Sequence, residues 1–228
     1  MRQLPLGIRL RADAVFDSFE PGQNIEALEA LHGTGGAPLW LWGPAGCGKT
    51  HLLQAACAAA GENAAYLPLA RSFALPPGVL QGFEGLRLLC IDDVDAVAGD
   101  DEWERALFRL FNDASELHTR LVFAAHGAPR GLPWRLADLG SRAAACTVYQ
   151  LRELDDAGRA AALTRHAARR GLQLPPETAE YLLKRLPRDL ASLLAALDVL
   201  DEASLAEQRR LTVPFIRDAL ERRAGTRP

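Results

Sequence analysis

The chain has 228 residues, of which 49% are hydrophobic and 24% are charged, an ordinary globular composition with room for a large domain and a small one. Its formal net charge of −3 excludes a general attraction to DNA, so DNA binding would need a local patch or a partner. The four cysteines lack Cys-x-x-Cys spacing, which excludes a disulfide framework or a zinc site of that kind. Since no apolar run has the length of a membrane span or a secretion signal, we expect a cytoplasmic protein with no membrane partner.

Five short apolar runs separated by helical segments predict a parallel sheet with helices on both faces. The predicted strands are residues 38–42, 64–70, 87–93, 120–126 and 146–151. Residues 51–60 form an Ala/Leu-rich run typical of a helix, which Gly61 would end. Residues 101–117 carry their apolar side chains at helical spacing, which predicts an amphipathic helix.

From Asp155 onward the pattern changes to four successive helices without a strand between them. The predicted helices are residues 155–171, 175–186, 187–205 and 212–223. Gly171 suits a helix end, whereas Pro187 and Thr212 suit helix starts. We therefore expect a flexible tail over residues 1–12, a base domain over residues 13–152 and a helical domain over residues 153–228.

One motif between the first strand and the first helix matches the G-x-x-x-x-G-K-T pattern of a P-loop. It consists of Gly43, Pro44, Ala45, Gly46, Cys47, Gly48, Lys49 and Thr50, with His51 directly after it. In such a loop the backbone N–H groups surround a phosphate, the lysine reaches the outer phosphates and the threonine hydroxyl holds Mg²⁺. The chain has only two lysines against twenty-four arginines, so Lys49 indicates a need for a compact ammonium that a planar guanidinium does not meet.

The third predicted strand ends in the acidic groups that a P-loop site needs. Asp92 is in position to hold Mg²⁺, and Asp93 is in position to polarise a water molecule. Phosphoryl transfer also needs positive charge at the γ-phosphate. Arg142, directly before the last strand, and Arg188, at the start of a helix in the second domain, are the candidates.

Taken together, these segments resemble the AAA+ module of the DnaA/Hda family, and they resemble the shorter Hda proteins more closely than DnaA itself. The likeness covers nearly the whole chain, including residues 43–55, 88–112, 139–151 and 186–201. It implies an AAA+ fold, in which a five-stranded parallel sheet sandwiched by helices precedes a small all-α lid domain. It also implies that Arg142 is an arginine finger acting in trans, that Arg188 contacts bound nucleotide from the lid, and that residues 15–19 lie near the adenine.

Two features favour the Hda group over the initiator. DnaA continues past the lid into a DNA-reading helix-turn-helix domain, whereas this sequence ends at Pro228. Near its start, Gln3, Leu4 and Leu6 match the Gln-Leu-x-Leu peptide by which Hda-like proteins bind the sliding clamp, an extended peptide with apolar anchors.

The resemblance implies a regulator of chromosome replication initiation. Held on the DNA-loaded clamp of DNA polymerase III, it would stimulate hydrolysis of DnaA-bound ATP and so inactivate the initiator. Its own cofactor would be ADP or ATP with Mg²⁺, and it would reach DNA only through the clamp. Whether it forms a homo-oligomer stays open.

Two other functions stay open at this point. One is a stand-alone AAA+ ATPase that loads or remodels another replication protein, and the other is a nucleotide-dependent adaptor without a catalytic contribution. The intact P-loop and the Asp92–Asp93 pair would allow slow ATP hydrolysis by the chain itself. At the sensor-1 position, where the family usually has a carboxylate, this chain has His126 or a near neighbour, either as a γ-phosphate contact or as an ordinary histidine at a strand end.

Overall fold

The computed structural model describes residues 10–11, 13–33, 36–72, 76–83, 85–207, 209 and 211–224. The chain divides into two compact units, Met1–Glu153 and Leu154–Pro228. Each unit has a hydrophobic core of its own. Among the described residues, no helix is long and apolar enough to cross a membrane.

The described part of the first unit is a parallel sheet with helices between its strands. The strands are β1 (Leu39–Trp42), β2 (Ala64–Pro68), β3 (Leu88–Asp92), β4 (Arg120–Ala125) and β5 (Thr147–Gln150). All of them pair in parallel, in the spatial order β2-β3-β4-β1-β5. The helices are α1 (Ile25–His32), α2 (Lys49–Ala60), α3 (Leu69–Ser72), α4 (Asp101–Glu116) and α5 (Ala137–Ala144).

Apolar side chains on both faces of the sheet explain why its strands read as continuous hydrophobic runs. Along β1, Leu39 and Leu41 pack into the core shared with α1 and α2, while Trp40 points to the opposite face. There Trp40 joins the core shared with α4 and α5, where the rings of Phe111 and Phe123 stack at 4.8 Å. The predicted five-stranded parallel sheet with helices on both faces is confirmed.

The second unit consists of helices over its described residues, as the sequence predicts. They are α6 (Asp156–Arg169), α7 (Pro176–Arg185), α8 (Leu190–Glu207) and α9 (Val213–Ala224). They enclose a separate core whose largest buried members are Leu163, Leu182, Leu193, Leu197, Phe215 and Ile216. Gly171 ends the first of these helices with a φ of +75°, the left-handed conformation that glycine adopts without steric cost.

Two predicted boundaries differ from the structure for reasons that its contacts explain. The second strand does not reach residue 70, because β2 ends at Pro68 and the chain turns directly into α3. The third helix of the second unit does not start at Pro187. It starts at Leu190, because the Asp189 carboxylate accepts a hydrogen bond of 2.8 Å from the Ser192 N–H and caps the helix there.

The turn after α4 supports a prediction about stability. His118 has a φ of +58°, and the Thr119 N–H bonds to the Ala114 carbonyl at 2.8 Å, as in a Schellman helix end. Glycine adopts this conformation without the steric cost that a side chain brings. We therefore expect His118→Gly to raise the free energy of unfolding of the first unit by about 1 kcal/mol.

Urea unfolding followed by tryptophan fluorescence measures this effect, because all four tryptophans lie in the first unit. The matched control is Glu116→Gly, two residues earlier, at the last residue of α4, where the backbone is helical. That substitution is expected to lower the same free energy by about 0.5–1 kcal/mol. A lower urea midpoint for His118→Gly than for the unchanged protein would show that the histidine side chain makes a contact whose stabilising free energy exceeds the cost of its left-handed backbone.

Candidate functional site

The P-loop connects the carboxyl end of β1 to the amino end of α2, the position in which helix N–H groups point at a bound phosphate. Two of its glycines are required by close contacts. A Cβ atom at Gly43 would lie 2.4 Å from the Leu151 carbonyl oxygen, and one at Gly48 would lie 2.6 Å from the Phe19 ring. Gly48 also has a φ of +98°, which side chains rarely adopt. The loop can therefore keep this tight path only with glycine at these two positions.

The Lys49 side chain lies inside the curve of the loop and is almost fully buried, with 6% of the residue exposed. Its ammonium donates to the carbonyl of Gly43 at 2.7 Å and to that of Pro44 at 2.8 Å. A compact ammonium with three rotatable donors can bond to both carbonyls within so small a volume, whereas the larger planar guanidinium of arginine has its donors fixed in a fork. This geometry gives a physical reason for lysine in a chain that otherwise uses arginine.

Thr50 and Asp92 lie together, although 42 residues separate them in the sequence. The Thr50 hydroxyl donates to one Asp92 carboxylate oxygen at 2.7 Å, and the Tyr66 hydroxyl donates to the same oxygen at 2.8 Å. Burial and the Asp92 charge raise the pKa of Tyr66, so this hydroxyl stays a donor. Tyr66 cannot be predicted from the sequence, because its contact with Asp92 depends on the pairing of β2 with β3.

The Thr50–Asp92 pair fits a magnesium ion, because both contribute oxygen donors of the kind that Mg²⁺ prefers. Among the described residues, no group of three or more His, Cys, Asp or Glu side chains could hold a metal. Protein sites for Mg²⁺ typically supply one or two carboxylates and take the remaining ligands from substrate phosphates and water. The pair is therefore suited to an ion that arrives with a nucleotide.

Asp93 follows β3 in a strained conformation, with a φ of +56°. Partial burial and the charges of Asp92 and Asp95 raise the pKa of its carboxyl group. A carboxylate with a raised pKa is a better proton acceptor. The function of Asp93 in polarising water stays a prediction.

His126 lies just beyond β4, where the sequence places sensor 1. Its backbone N–H and its Nδ1 bond to the two oxygens of the Asp95 carboxylate, at 3.1 and 2.9 Å. The ring is about half exposed. Asp95 therefore orients the ring beside the acidic end of β3, while the function of His126 in nucleotide contact stays a prediction.

The segment of residues 15–19 lies against the start of α2. The His51 Nε2 is 3.1 Å from the Val15 carbonyl oxygen and 3.2 Å from the Ser18 hydroxyl, and its ring packs against that of Phe19 at 5.8 Å. Because a carbonyl oxygen only accepts, Nε2 is assigned as the protonated nitrogen. His51 thus fastens this segment next to the P-loop, a contact that the sequence did not indicate.

Arg142 lies on the exposed side of α5, and its guanidinium donates to the Asn112 side chain at 3.0 Å. It lines a groove of about 520 Å³ together with Arg87 and Arg120, which lie at the starts of β3 and β4. The P-loop follows the opposite, carboxyl end of the parallel sheet. At about 3.3 Å per strand residue, the sheet separates the two edges by roughly 15 Å. Arg142 is therefore at the edge of the sheet opposite Lys49.

The remaining predicted site residues do not belong to the described part of the first unit. Arg188 lies in the second unit just before α8, where its exposed guanidinium is 3.8 Å from the Asp156 carboxylate. Gln3, Leu4 and Leu6, the predicted clamp-binding residues, lie outside the described residues. The assignments of these four residues stay predictions.

Known proteins similar to this chain share this architecture. Residues 156–220 match the family model described as "Hda, lid domain". Domain III of the replication initiation protein DnaA from Thermotoga maritima superposes with a TM-score of 0.75, at 23% identity over 94% of this chain and 98% of that one. AMPPCP-bound DnaA from Aquifex aeolicus gives a TM-score of 0.69, at 22% identity over 85% of this chain and 67% of that one. The Holliday junction branch migration motor RuvB of Thermotoga maritima gives 0.64, at 17% identity over 86% of this chain and 64% of that one.

At these identities the solved structures establish the fold, which is that of an AAA+ module followed by a helical lid. The family model is independent of them and covers most of the second unit. Residues 156–220 are thus similar to the lid domain of Hda. The chain therefore has the fold of an AAA+ module with a helical lid, and its residues 156–220 match the lid model of Hda.

Proposed function

We propose that this protein is a negative regulator of replication initiation that stimulates hydrolysis of the ATP bound to DnaA. The observation that carries the proposal is the position of Arg142, exposed at the sheet edge opposite the P-loop. An arginine at that edge is too far from its own chain's phosphates to act on them, but it is accessible to the nucleotide of a neighbouring molecule. The Hda-type lid supports DnaA as that neighbour.

In this mechanism Arg142 is the catalytic residue in trans. Its guanidinium approaches the γ-phosphate of the ATP on DnaA and stabilises the charge that spreads over the phosphate oxygens in the transition state. The bond to Asn112 fixes the guanidinium direction before the partner arrives, which lowers the entropy lost on docking. Hydrolysis leaves DnaA with ADP, the inactive form of the initiator.

The chain's own site binds ADP or ATP with Mg²⁺. The P-loop amides of residues 43–50 surround the phosphates, Lys49 neutralises them, and His51 keeps the adenine-side segment in place. Thr50 and Asp92 would hold a magnesium ion, which would neutralise charge on the phosphate oxygens. Clamp binding by Gln3, Leu4 and Leu6 brings the protein to DnaA on DNA.

Single-turnover hydrolysis of ATP preloaded on DnaA tests the proposal, with clamp-loaded DNA present and with or without this protein. We expect the protein to accelerate hydrolysis, and a variant without residues 1–8 to lose most of that acceleration while keeping its own nucleotide affinity. Absence of acceleration with either ADP or ATP bound to the protein would refute the proposed function. Equal acceleration by the shortened variant would refute clamp docking alone.

One observation favours a second function, a stand-alone ATPase that loads or remodels another replication protein. The Thr50–Asp92 contact is intact, and partial burial and neighbouring carboxylates raise the pKa of Asp93 beside it, so the chain carries groups that hydrolysis uses. Fast intrinsic turnover in the absence of DnaA would favour this function over the first.

A further inference from the structure

Glu104, in the first turn of α4, carries a carboxylate that is completely buried. It accepts hydrogen bonds from three backbone N–H groups: Gly99 at 2.7 Å, Arg135 at 3.0 Å and Leu136 at 2.7 Å. Bonds to an ionised acceptor are about twice as strong as neutral ones, and a buried carboxylate without such partners would be very costly. Glu104 is therefore a fixed connection between separate parts of the backbone.

The two parts that it connects both belong to the site. Gly99 ends the loop that starts at Asp93 and includes Asp95, the partner of His126. Arg135 and Leu136 lead into α5, the helix that carries Arg142. Glu104 thus joins the acidic end of β3 to the start of the arginine-bearing helix.

Helix α5 depends on this connection, because it is short and lacks a cap of its own. It has eight residues, and its N-cap Leu136 provides no side-chain hydrogen bond. A helix of two turns is marginal without tertiary contacts. The Glu104 carboxylate instead holds the N–H of the N-cap residue Leu136 and places a negative charge near the positive end of the helix.

We propose that Glu104 is a positioning residue for Arg142, and this inference rests on the proposed function. Six residues separate Leu136 from Arg142, about 9 Å along the helix, so a tilt at the anchored end displaces the guanidinium. A misplacement of about 1 Å in a catalytic group can cost about 10²-fold in rate. Holding the start of α5 therefore holds the guanidinium at the distance that trans action requires.

The variant that tests this role is Glu104→Gln, which keeps the volume but replaces one acceptor oxygen with a donor. We expect its maximal acceleration of hydrolysis on DnaA to fall about 10- to 10²-fold. The concentration that gives half of that acceleration, and the affinity of the chain for its own nucleotide, are expected to stay the same. Backbone amides of residues 137–144 are expected to exchange with solvent about 10-fold faster or more.

The matched control is Asp100→Ala, which removes the N-cap of the same helix α4. Asp100 accepts from the N–H groups of Glu102 and Trp103 but makes no described bond to the loop before α5. If Glu104 only stabilises α4, Asp100→Ala is expected to lose acceleration of hydrolysis to a similar degree. If Glu104 positions Arg142, Asp100→Ala is expected to keep an acceleration near that of the unchanged protein.

The outcomes separate the two proposals. If the unchanged protein accelerates hydrolysis and Glu104→Gln does so equally, the positioning role is refuted and the proposed function stands. An unchanged exchange rate over residues 137–144 in Glu104→Gln would also refute the positioning role. If the unchanged protein gives no acceleration at all, the proposed function is refuted, and the positioning role with it.

Discussion

Replacing Arg142 with alanine is expected to lower the acceleration of ATP hydrolysis on DnaA by about 10³- to 10⁵-fold, the contribution of an arginine supplied in trans to phosphoryl transfer. The reason is that the transition state carries negative charge on the γ-phosphate oxygens, which a planar guanidinium can bind through several hydrogen bonds at once. The chain's own nucleotide site is at the opposite sheet edge, so its nucleotide affinity is expected to stay unchanged.

Single-turnover hydrolysis on preloaded DnaA measures the acceleration, and a binding titration with ADP measures the affinity. Arg109→Ala is the matched control, since Arg109 is also an exposed arginine of the first unit but lies on α4 beside a different, smaller cavity. It removes the same charge and is expected to keep the acceleration. Undiminished acceleration by Arg142→Ala would refute the arginine-finger assignment, and a loss of ADP affinity would place Arg142 in the chain's own site.

Much of the fold could be predicted from the sequence, because parallel strands covered on both faces are nearly uniform apolar runs. Four of the five strands begin and end within one residue of the predicted limits. The sequence predicts too long a second strand, since the apolar run continues from β2 through Leu67 and Leu69 into α3 and both leucines are buried. Burial alone does not distinguish a strand from the helical turn that follows it.

The part of the site that is contiguous in the sequence can be predicted equally well. The P-loop is a single contiguous motif. Thr50 and Asp92 are distant in the sequence, but their proximity follows from the general chemistry of such sites. What could not be predicted are contacts that depend on tertiary placement. The bond from Tyr66 to Asp92 needs the β2–β3 pairing, and the contact of His51 with residues 15–19 needs the path of the chain before α1.

Glu104 is a clearer example of a residue whose contacts cannot be predicted from the sequence. In the sequence it is one acidic residue among several at the start of an amphipathic helix, and acidic residues are favourable in any first turn. Its partners are backbone amides, which carry no side-chain signature. Only the complete burial of the carboxylate, which the fold decides, distinguishes Glu104 from its exposed neighbours.

Replacing Lys49 with arginine is expected to weaken the binding of ADP or ATP about 10²-fold or more, although the charge is conserved. The ammonium occupies a buried position between the carbonyls of Gly43 and Pro44, at 2.7 and 2.8 Å. A guanidinium is larger and planar, so it cannot fit between these carbonyls without moving the loop that surrounds the phosphates.

The chain offers a matched control in its other lysine. Lys184 is exposed and pairs with Glu180 one helical turn away at 3.7 Å, a contact that a guanidinium can also make. Lys184→Arg therefore makes the same chemical change and is expected to leave nucleotide affinity unchanged. Titration calorimetry with ADP and with ATP measures both variants against the unchanged protein.

Equal affinities in Lys49→Arg and the unchanged protein would show that the loop needs only a positive charge at this position. The use of lysine there would then have no physical explanation in the nucleotide site. A loss confined to Lys49→Arg would instead tie the choice of lysine to the geometry of the loop. In a chain that uses arginine at all other basic positions except Lys184, that result would identify the phosphate site as the reason why Lys49 is not an arginine.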